Sequence, residues 1–408
     1  MSPLSGGRRV LVTVTGADTA GITARLTGVI AGSGAALLDI EQVVVQGQLI
    51  LGLLVGVDDK PGSSEAVLKD LLFSAKTMGL DLQFKALESD EGDAEPGRAM
   101  FAVTTLGDAM DARGVHLISR VLAEHAGNIE NIRRLSDGHL TSLEFIVSVP
   151  SAEDRIAALR AALMNAAAER DIDVALQRET FSRRAKRLVV MDMDSTLIQM
   201  EVIDELAAMH GVGDEVAEIT RRAMGGELDY EQSLRKRVAL LRGMEWERVA
   251  RLARQLPITE GARDLLYVLR TLGYRTGVIS GGFTFAAAAL KEELGLDYAY
   301  ANQLEVSEGR LTGRVLDPII TPQRKADLLD TIAQSERIAL AQTIAVGDGA
   351  NDLPMLGRAG LGIAFHAKPK LKAAADTAIS KGGLDRILYL LGLRARDVAE
   401  VLRGAPHR

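Results

Sequence analysis

The sequence of 408 residues contains no cysteine, and aromatic residues make up only 4% of it. The absence of cysteine excludes disulfides, thiolate nucleophiles, iron–sulfur clusters and cysteine-ligated zinc. No apolar run approaches the roughly 18–20 residues that a membrane helix needs; residues 49–57 are among the longest. We therefore expect no membrane partner, and chemistry that depends on carboxylates, hydroxyls, amines or the six histidines.

The chain is mildly acidic, with a formal net charge of −7. Nucleic-acid binding depends on Lys and Arg that neutralise phosphates, so we expect no nucleic-acid partner. Residues 7–15 carry two arginines before an apolar stretch, as an export signal does, but threonines interrupt the stretch and Asp18 follows it. We interpret the segment as a strand and expect a cytoplasmic protein.

The first 180 residues contain one pattern twice. In each copy an apolar strand leads through a glycine-containing loop into a helix, and Gly21 and Gly34 recur at the same offset as Gly114 and Gly127. Two strands, a second helix and a short strand follow, with tight turns at 46–47 and 136–139. The order βαββαβ predicts two ferredoxin-like domains, at 8–88 and 98–180, joined by an acidic linker.

From Leu188 onward, short apolar runs alternate with helical patterns. The runs at 188–191, 275–279 and 343–346 are typical of strands buried on both faces of a parallel sheet. Only helical patterns occupy about 204–256, which indicates a helical cap. The sequence therefore predicts an α/β fold over 186–400, a doubly wound parallel sheet with a helical cap, after the two ferredoxin-like domains.

Polar or glycine-rich residues follow each predicted strand, at 192–196, 280–283 and 347–352. Ligands of open α/β sheets bind beyond the carboxyl ends of the strands. A further helix is expected after Thr321, as N-cap, with Pro322 in its first position. Lys325 then lies in the first turn, where the helix dipole disfavours a cation unless an anion is bound. The pattern therefore indicates an anion site.

These residues combine into one chemistry. Asp192 and Asp348 are hard oxygen ligands suited to Mg²⁺, and Ser280, with the amides of the glycines after it, can approach a phosphate closely. Asp192 is ionised without a base, so it can attack phosphorus once Mg²⁺ and Lys325 offset the repulsion. Asp194 is placed to protonate the leaving alkoxide and then to deprotonate the hydrolytic water.

Each motif alone has a simpler explanation. Asp-x-Asp after a strand is often structural or a generic metal site, Ser-Gly-Gly is usually a turn, and residues 347–352 could form a calcium-type loop. The four motifs in order, each at a strand end or helix start, favour the phosphoryl-transfer site.

The motifs resemble those of a known superfamily. Asp192-x-Asp194-x-Thr196, Ser280, Lys325 and Gly347-Asp348-x-x-x-Asp352 are similar to the four motifs of the haloacid dehalogenase superfamily of phosphohydrolases. The longer string 191–201, with 280–283 and 347–352, resembles its phosphoserine phosphatase family. The two N-terminal repeats resemble ACT domains, which sense amino acids, so almost the whole chain resembles the tandem-ACT bacterial form of that family.

The resemblance implies a role for each matching residue. Asp192 is the nucleophile and a Mg²⁺ ligand, Asp194 is the acid/base and a ligand through its backbone carbonyl, and Asp348 is the third ligand. Asp352 is a supporting residue near these ligands. The residues that hold the phosphate are Ser280, Gly281, Lys325 and Asn351.

The resemblance also implies a pocket for the amino-acid part of the substrate. Glu201 pairs the ammonium, Arg237 in the cap pairs the carboxylate, and Met224 lines the pocket. Tyr230 stands where Phe is frequent in the family. From the residues alone, Arg237 could equally be an exposed cation, and Glu201 a carboxylate that favours a helix start.

We therefore predict a Mg²⁺-dependent phosphoserine phosphatase that performs the last step of serine biosynthesis. The alternatives are an aspartyl-phosphate enzyme that hydrolyses or transfers the phosphate of another small phosphomonoester, and a non-catalytic amino-acid sensor. The intact set of Asp192, Asp194, Lys325 and Asp348 argues against the sensor. We also predict a homo-oligomer that binds serine near Gly21 and Gly114, although these glycines could simply form the turns.

Overall fold

The computed structural model describes residues 8–57, 63–87, 97–107, 110–136 and 141–405. The chain divides into two compact units, residues 1–96 and 97–408. The predicted domains 98–180 and 186–400 therefore lie within one compact unit. Among the helices in the described ranges, none combines the length and apolarity needed to span a bilayer.

The first unit is one βαββαβ domain. Its elements are β1 Arg8–Ala17, α1 Ile22–Ser33, β2 Ala36–Val45, β3 Gln48–Val57, α2 Ser63–Thr77 and β4 Asp81–Leu87. The strands form an antiparallel sheet in the order β2-β3-β1-β4. Alternate residues of β1, namely Val10, Val12 and Val14, are buried because one face of the sheet packs on the helices. The predicted hairpin turn is present: Gln46 and Gly47 both have positive φ, as a type I′ turn requires.

The second unit begins with the same arrangement. Its elements are β5 Arg98–Gly107, α3 Ala112–Glu124, β6 Asn128–Arg134, β7 Thr141–Pro150, α4 Glu153–Ala168 and β8 Asp173–Arg178. The sheet order β6-β7-β5-β8 matches that of the first unit, in agreement with the predicted duplication. Of the second predicted turn, at 136–139, residues 137–139 lie outside the described residues.

The two corresponding glycines occupy different places in their helices. Gly21 immediately precedes α1, with a φ of 94° that favours glycine. In the second copy Asp111 is the N-cap of α3, and Gly114 lies inside the helix, donating its amide hydrogen to Asp111 Oδ1 at 2.9 Å. Only Gly21 therefore forms the loop that the repeat predicted for both.

The rest of the second unit is a parallel α/β fold with helices on both faces. Its strands are β9 Leu188–Met191, β10 Arg275–Phe283, β11 Tyr298–Ser307, β12 Arg310–Leu316, β13 Thr343–Gly347, β14 Gly362–Phe365 and β15 Thr377–Ile379. The helices are α5 Phe181–Arg184, α6 Val202–His210, α7 Gly213–Met224, α8 Tyr230–Ala239, α9 Trp246–Leu252, α10 Ala262–Thr271, α11 Thr284–Leu294, α12 Pro322–Ser335, α13 Leu353–Arg358, α14 Pro369–Ala374, α15 Ile387–Leu390 and α16 Ala395–Arg403. Three short 3₁₀ turns connect the described elements, at 340–342, 350–352 and 384–386.

The sheet order is β12-β11-β10-β9-β13-β14-β15, and all pairs except β11–β12 are parallel. This confirms the predicted fold class. β9 pairs with both β10 and β13, with Met191 opposite Val278 on one side and Val346 on the other. The carboxyl ends of these strands therefore lie side by side, and the polar residues that follow them meet at one edge.

The predicted cap is formed by α6 to α9. The antiparallel β11–β12 hairpin is part of the core sheet and is hydrogen-bonded to the cap. It was not predicted from the sequence. Gly243 donates its amide hydrogen to Leu311 O at 2.8 Å, and Trp246 donates to Gly309 O at 2.8 Å. These hydrogen bonds therefore hold the start of α9 next to the hairpin, which is part of the sheet.

The second βαββαβ copy packs on the α/β core. Leu106 and Ala175 belong to the same buried apolar cluster as the helices of the core. Gln177 donates its side-chain amide to Leu390 O at 3.0 Å, and Ala395 donates its backbone amide to Leu135 O at 2.7 Å. These contacts explain why residues 97–408 form one unit.

Candidate active site

Asp192 follows β9 directly and is almost completely buried. Its Oδ1 accepts a hydrogen bond from the Met193 amide at 2.7 Å, and its Oδ2 lies 2.8 Å from Lys325 Nζ. Asn351 Nδ2 lies 3.4 Å from the same Oδ2. The carboxylate is therefore held in one orientation by groups from three separate segments of the chain.

Lys325 lies between two carboxylates, with Nζ 2.8 Å from Asp192 and 2.7 Å from Asp352. Its side chain is 1% exposed. Burial alone lowers the pKa of a lysine, but the charges of Asp192 and Asp352 outweigh burial and raise the pKa of Lys325. As predicted, Thr321 caps α12, accepting from the Arg324 amide at 3.2 Å. The anions that stabilise the cation in this first turn are the two carboxylates.

Carboxylate oxygens of Asp192, Asp348 and Asp352 lie within 4.8 Å of one another, close enough to hold a metal ion. Thr196 Oγ1 donates to Asp348 Oδ1 at 3.3 Å. Burial, and then the charge of Asp192, raise the pKa of Asp348 to about 6. Burial is the larger cause of this shift, and the second cause, the neighbouring negative charge, is one that a bound cation would offset.

Asp352 is already engaged by other groups. Its Oδ1 pairs with Lys325, and its Oδ2 accepts from the Gly349 amide at 3.1 Å. We interpret it as the residue that positions Lys325. The carboxylate of Asp194 is outside this acidic cluster, as the prediction of a backbone-carbonyl ligand allows.

Asp194 lies beside residues 280–282, an irregular stretch near the carboxyl end of β10 that we call the glycine loop. A Cβ built on Gly282 would come within 2.6 Å of Asp194 Oδ2 and 3.1 Å of Ser280 Oγ. The Val202 amide donates to Asp194 Oδ1 at 3.3 Å. Burial, followed by the charges of Glu201 and Asp192, raises the pKa of Asp194 well above its ordinary value. The carboxyl group is therefore suited to donate a proton.

Hydrogen bonds with the side chains of Ser280 and Asn302 hold the glycine loop in place. Ser280 Oγ accepts from the Gly282 amide at 2.8 Å. The buried Asn302, on β11, donates Nδ2 to Gly281 O at 2.7 Å and accepts at Oδ1 from the Ile320 amide at 2.7 Å. It thus ties the glycine loop to the segment that leads into α12. The sequence analysis missed Asn302, because no local pattern distinguishes it.

Tyr230, the first residue of α8, reaches from the cap to the glycine loop. Its hydroxyl occupies the place that a Cβ on Gly281 would take. Burial raises the pKa of Tyr230 to about 12, with Lys325 and Asp192 near enough to act on it in opposite directions. The hydroxyl therefore remains protonated, and is a donor, over the pH range in which enzymes usually work.

Glu201 and Arg237 lie on the cap side. Ser195 Oγ donates to Glu201 Oε1 at 2.8 Å, and Ser195 has a φ of 56°, which is uncommon for a residue other than glycine. Burial raises the pKa of Glu201, whereas Ser195 and the charge of Arg237 act against the shift. The guanidinium of Arg237 is thus near Glu201.

The environment of Arg237 differs from that of its neighbour Arg235. Nε of Arg237 is buried and has no hydrogen-bond partner in the described part of the structure. Arg235 instead pairs with Glu231 at 2.7 Å and with Asp317 at 2.6 Å. Both arginines are partly exposed, but of the two only Arg237 has a buried guanidinium nitrogen without a partner in the described structure, which is not typical of a fully solvated cation. The side chain of Met224 lies outside the described residues.

Three family models match the chain. Residues 8–85 and 99–177 each match an ACT domain, and residues 189–357 match the haloacid dehalogenase-like hydrolases. These matches agree with the resemblance that the motifs and the repeat indicated.

Two similar proteins extend over nearly the full chain. A phosphoserine phosphatase of Streptomyces coelicolor is 45% identical over 393 residues, which cover 95% of this chain and 93% of that protein. A phosphoserine phosphatase of Mycobacterium tuberculosis is 42% identical over 389 residues, which cover 95% and 94%. Among solved structures, a probable phosphoserine phosphatase from Vibrio cholerae, unliganded, has a TM-score of 0.57 and 35% identity, and the match covers 75% of this chain and 90% of that one.

Proposed function

The chain belongs to the phosphoserine phosphatase family of the haloacid dehalogenase-like hydrolases, in its form with two ACT domains, and from this premise we propose that it hydrolyses O-phospho-L-serine to L-serine and phosphate. The observation that carries the proposal is the position of the Asp192 carboxylate, 2.8 Å from Lys325 and within 4.8 Å of Asp348 and Asp352. We place the reaction at the end of serine biosynthesis, in the cytoplasm.

The reaction proceeds in two steps through an aspartyl-phosphate. Asp192 Oδ attacks phosphorus, the bond from phosphorus to the serine oxygen breaks, and Asp194 gives its proton to that oxygen. Asp194, now ionised, takes a proton from water; the resulting hydroxide attacks phosphorus and releases phosphate and Asp192. The raised pKa of Asp194 supports its role as the acid of the first step.

The residues present fit Mg²⁺. Carboxylates of Asp192 and Asp348 and the backbone carbonyl of Asp194 are hard oxygen donors, and the raised pKa of Asp348 indicates a place that favours a cation. Bound there, the ion would offset the negative charge of phosphate and carboxylate. Lys325 supplies a further fixed positive charge, and Ser280, Gly281 and Asn351 hold the phosphate oxygens.

Recognition of the amino-acid part requires one anion and one cation. Glu201 pairs the substrate ammonium and Arg237 its carboxylate; the buried, unpartnered Nε of Arg237 in the described structure supports this assignment. Met224 is proposed to line the same pocket. Its assignment rests on the family resemblance alone.

We further propose that the ACT domains bind serine and that the chain forms a homo-oligomer. The loop before α1, with Gly21, supports a carboxylate site because its amides begin a helix. The equivalent site at Gly114 has less support, because Asp111 already accepts the Gly114 amide and pairs with Arg170 at 3.2 Å.

A substrate panel tests the catalytic proposal. Phosphate release is measured from phosphoserine, phosphothreonine and glycerol phosphate, each with Mg²⁺ and with a chelator. We expect phosphoserine to be hydrolysed at least tenfold faster in kcat/KM and activity to require the metal. Equal rates on all three would favour a general phosphomonoesterase, and transfer to added alcohols would favour a phosphotransferase. No release from any substrate would favour the sensor.

A further inference from the structure

A cavity of about 190 Å³ lies between the second βαββαβ copy and the α/β core. Its walls come from α4, from β8 and the connector 179–187 that leads to β9, and from the segments just before β13, β14 and β15. We call it the connector cavity. It lies at the amino ends of these parallel strands, opposite the edge that carries the acidic cluster. A buried water needs roughly 10–15 Å³ by the same measure, so the cavity has room for a small solute.

Basic side chains outnumber acidic ones on the walls of the connector cavity. The charged residues that line it are Arg160, Arg178, Arg183, Lys186 and Asp376. Two of the four cations have carboxylate partners. Arg160 lies 3.8 Å from the Asp376 carboxylate, and Arg183 pairs with Glu144 and, at 2.8 Å, with Glu179. The other two cations have none, so positive charge on the walls remains unbalanced.

Lys186 is one of the two cations without a carboxylate. It is 5% exposed, and its Nζ donates to Ala341 O at 2.7 Å and lies 3.5 Å from Thr343 O. No carboxylate oxygen of the described residues lies within 4 Å of Nζ. Burial lowers the pKa of Lys186 to about 8, and the charge of Asp376 does not offset this effect. Buried charges are normally paired, so Lys186 lacks the counterion that its position calls for.

Other groups on the walls are donors without an acceptor. Nε of Arg183, a residue 6% exposed, is buried and has no hydrogen-bond partner in the described structure. Buried N–H groups normally have a partner, because an unsatisfied one destabilises the fold. The side chain of Arg178 has no hydrogen bond or ion pair among the described residues. The hydroxyl of Thr180 accepts from the Arg183 amide at 3.3 Å, so its own hydrogen is available to a further acceptor.

We propose that the connector cavity is a second anion site of the chain, which binds the phosphate group as a tetrahedral dianion, either free or in a small phosphate ester. Guanidinium and ammonium groups are the usual partners of phosphate in proteins. The dianion accepts from Arg183 Nε and supplies the charge that Lys186 and Arg178 lack. Because the walls come from both sides, the bound anion also joins the second ACT domain to the α/β core. The proposal does not depend on the catalytic one.

A larger cavity that is lined by arginines has weaker support. It measures about 410 Å³ and is lined by Arg187, Arg270 and Arg275, all of them exposed. Arg275 already pairs with Asp297 at 2.8 Å and with Glu336 at 3.0 Å. Among the described residues, no buried nitrogen of these three arginines lacks a partner. Water therefore solvates this cavity, whereas the connector cavity holds buried cations that need an anion.

Isothermal titration of the full chain with sodium phosphate, in a buffer that contains a chelator, tests the site. We expect Lys186→Met and Arg178→Ala each to abolish the binding of one phosphate per chain or to weaken it at least tenfold. Arg184→Ala is the matched control, because Arg184 is an exposed arginine of the same connector that pairs with Glu179 at 2.6 Å and does not line the cavity. Circular dichroism and urea unfolding check that each variant remains folded.

Two further measurements identify the site and its ligand. The inhibition constant of phosphate for phosphoserine hydrolysis reports on the active site, and it should be the same in the parent and in both cavity variants. Glycerol phosphate is the second titrant: binding as tight as that of phosphate assigns the site to small esters, and binding at least tenfold weaker assigns it to inorganic phosphate.

Three results would overturn the proposal. The first is phosphate binding by Lys186→Met and Arg178→Ala that equals binding by the parent. The second is a parent chain that binds neither titrant. The third is an inhibition constant that rises in parallel with the loss of binding, because the variants would then act on the active site. If the chain hydrolyses no phosphoserine, the titration still reports on the connector cavity.

Discussion

The ammonium of Lys325 lies 2.8 Å from the carboxylate of Asp192, and both side chains are almost completely buried. The negative charge of the attacking group is thus balanced before any substrate arrives. Because the same ammonium also contacts Asp352, the site retains excess negative charge that a divalent cation and the substrate ammonium can offset.

Replacement of the nucleophile should abolish turnover. Asp192→Asn keeps the shape of the side chain but removes its charge, so we expect phosphate release to fall by roughly 10³-fold or more. The measurement is steady-state phosphate release from phosphoserine. Asp330→Asn, a substitution on α12 away from the acidic cluster, is the control. Substantial activity in Asp192→Asn would contradict the assignment.

Removal of Arg237 should affect substrates that carry a carboxylate. Arg237→Ala should raise KM for phosphoserine by about 10–100-fold, as expected for a lost charged hydrogen bond of ~1.5–3 kcal/mol. It should leave KM for ethanolamine phosphate, which lacks the carboxylate, nearly unchanged. Arg235→Ala is the matched control and should change neither constant. An equal loss on both substrates would show that Arg237 acts on the phosphate or on the cap.

The Tyr230 hydroxyl should strengthen phosphate binding. Since it lies over Gly281 and stays protonated, we expect Tyr230→Phe to lower kcat/KM by about 3–10-fold, the loss of one hydrogen bond of ~0.5–1.5 kcal/mol. The inhibition constant of inorganic phosphate should rise by a similar factor. Tyr274→Phe, at the opposite end of β10, provides the comparison. An unchanged phosphate inhibition constant would assign Tyr230 to packing.

Loss of Asn302 should loosen the glycine loop. Asn302→Leu leaves Gly281 O and the Ile320 amide without their partner. Each buried polar group that loses its partner lowers the free energy of unfolding by about 1–3 kcal/mol. We expect a lower free energy of unfolding in urea and a higher KM for phosphoserine. Gln303→Leu alters the next, exposed residue of β11 and should do neither. A stability loss with unchanged KM would limit Asn302 to a structural role.

Lys186 should make the free energy of unfolding depend on pH in the alkaline range. Burial lowers its pKa to about 8, and Nζ donates to Ala341 O at 2.7 Å. Between about pH 8 and 10 the unfolded chain binds more protons than the folded one, so stability rises with pH. Relative to Lys186→Met, the parent should gain about 1–3 kcal/mol over this range in urea unfolding. A difference in the free energy of unfolding between the two proteins that stays constant with pH would contradict the lowered pKa of Lys186.

The sequence contained enough information for the sheet core and the position of the site. Apolar runs identified β9, β10 and β13, because parallel strands are buried on both faces. The hairpin β11–β12 was not predicted, since polar residues interrupt its apolar positions. Asn302 could not be recognised, because its two partners are distant in sequence. The equivalence of Gly21 and Gly114 was overestimated: Asp111 caps α3 and alters the local geometry there.

The shared packing of Leu106 and Ala175 with the catalytic core decides where this protein can be dissected. A fragment ending at Thr180 would strip these side chains of their neighbours and leave them facing water. Cleavage after Pro96 instead follows the division between compact bodies. Fragments for calorimetry or crystallisation are therefore best designed around that junction, with the second ACT module kept attached to the enzyme.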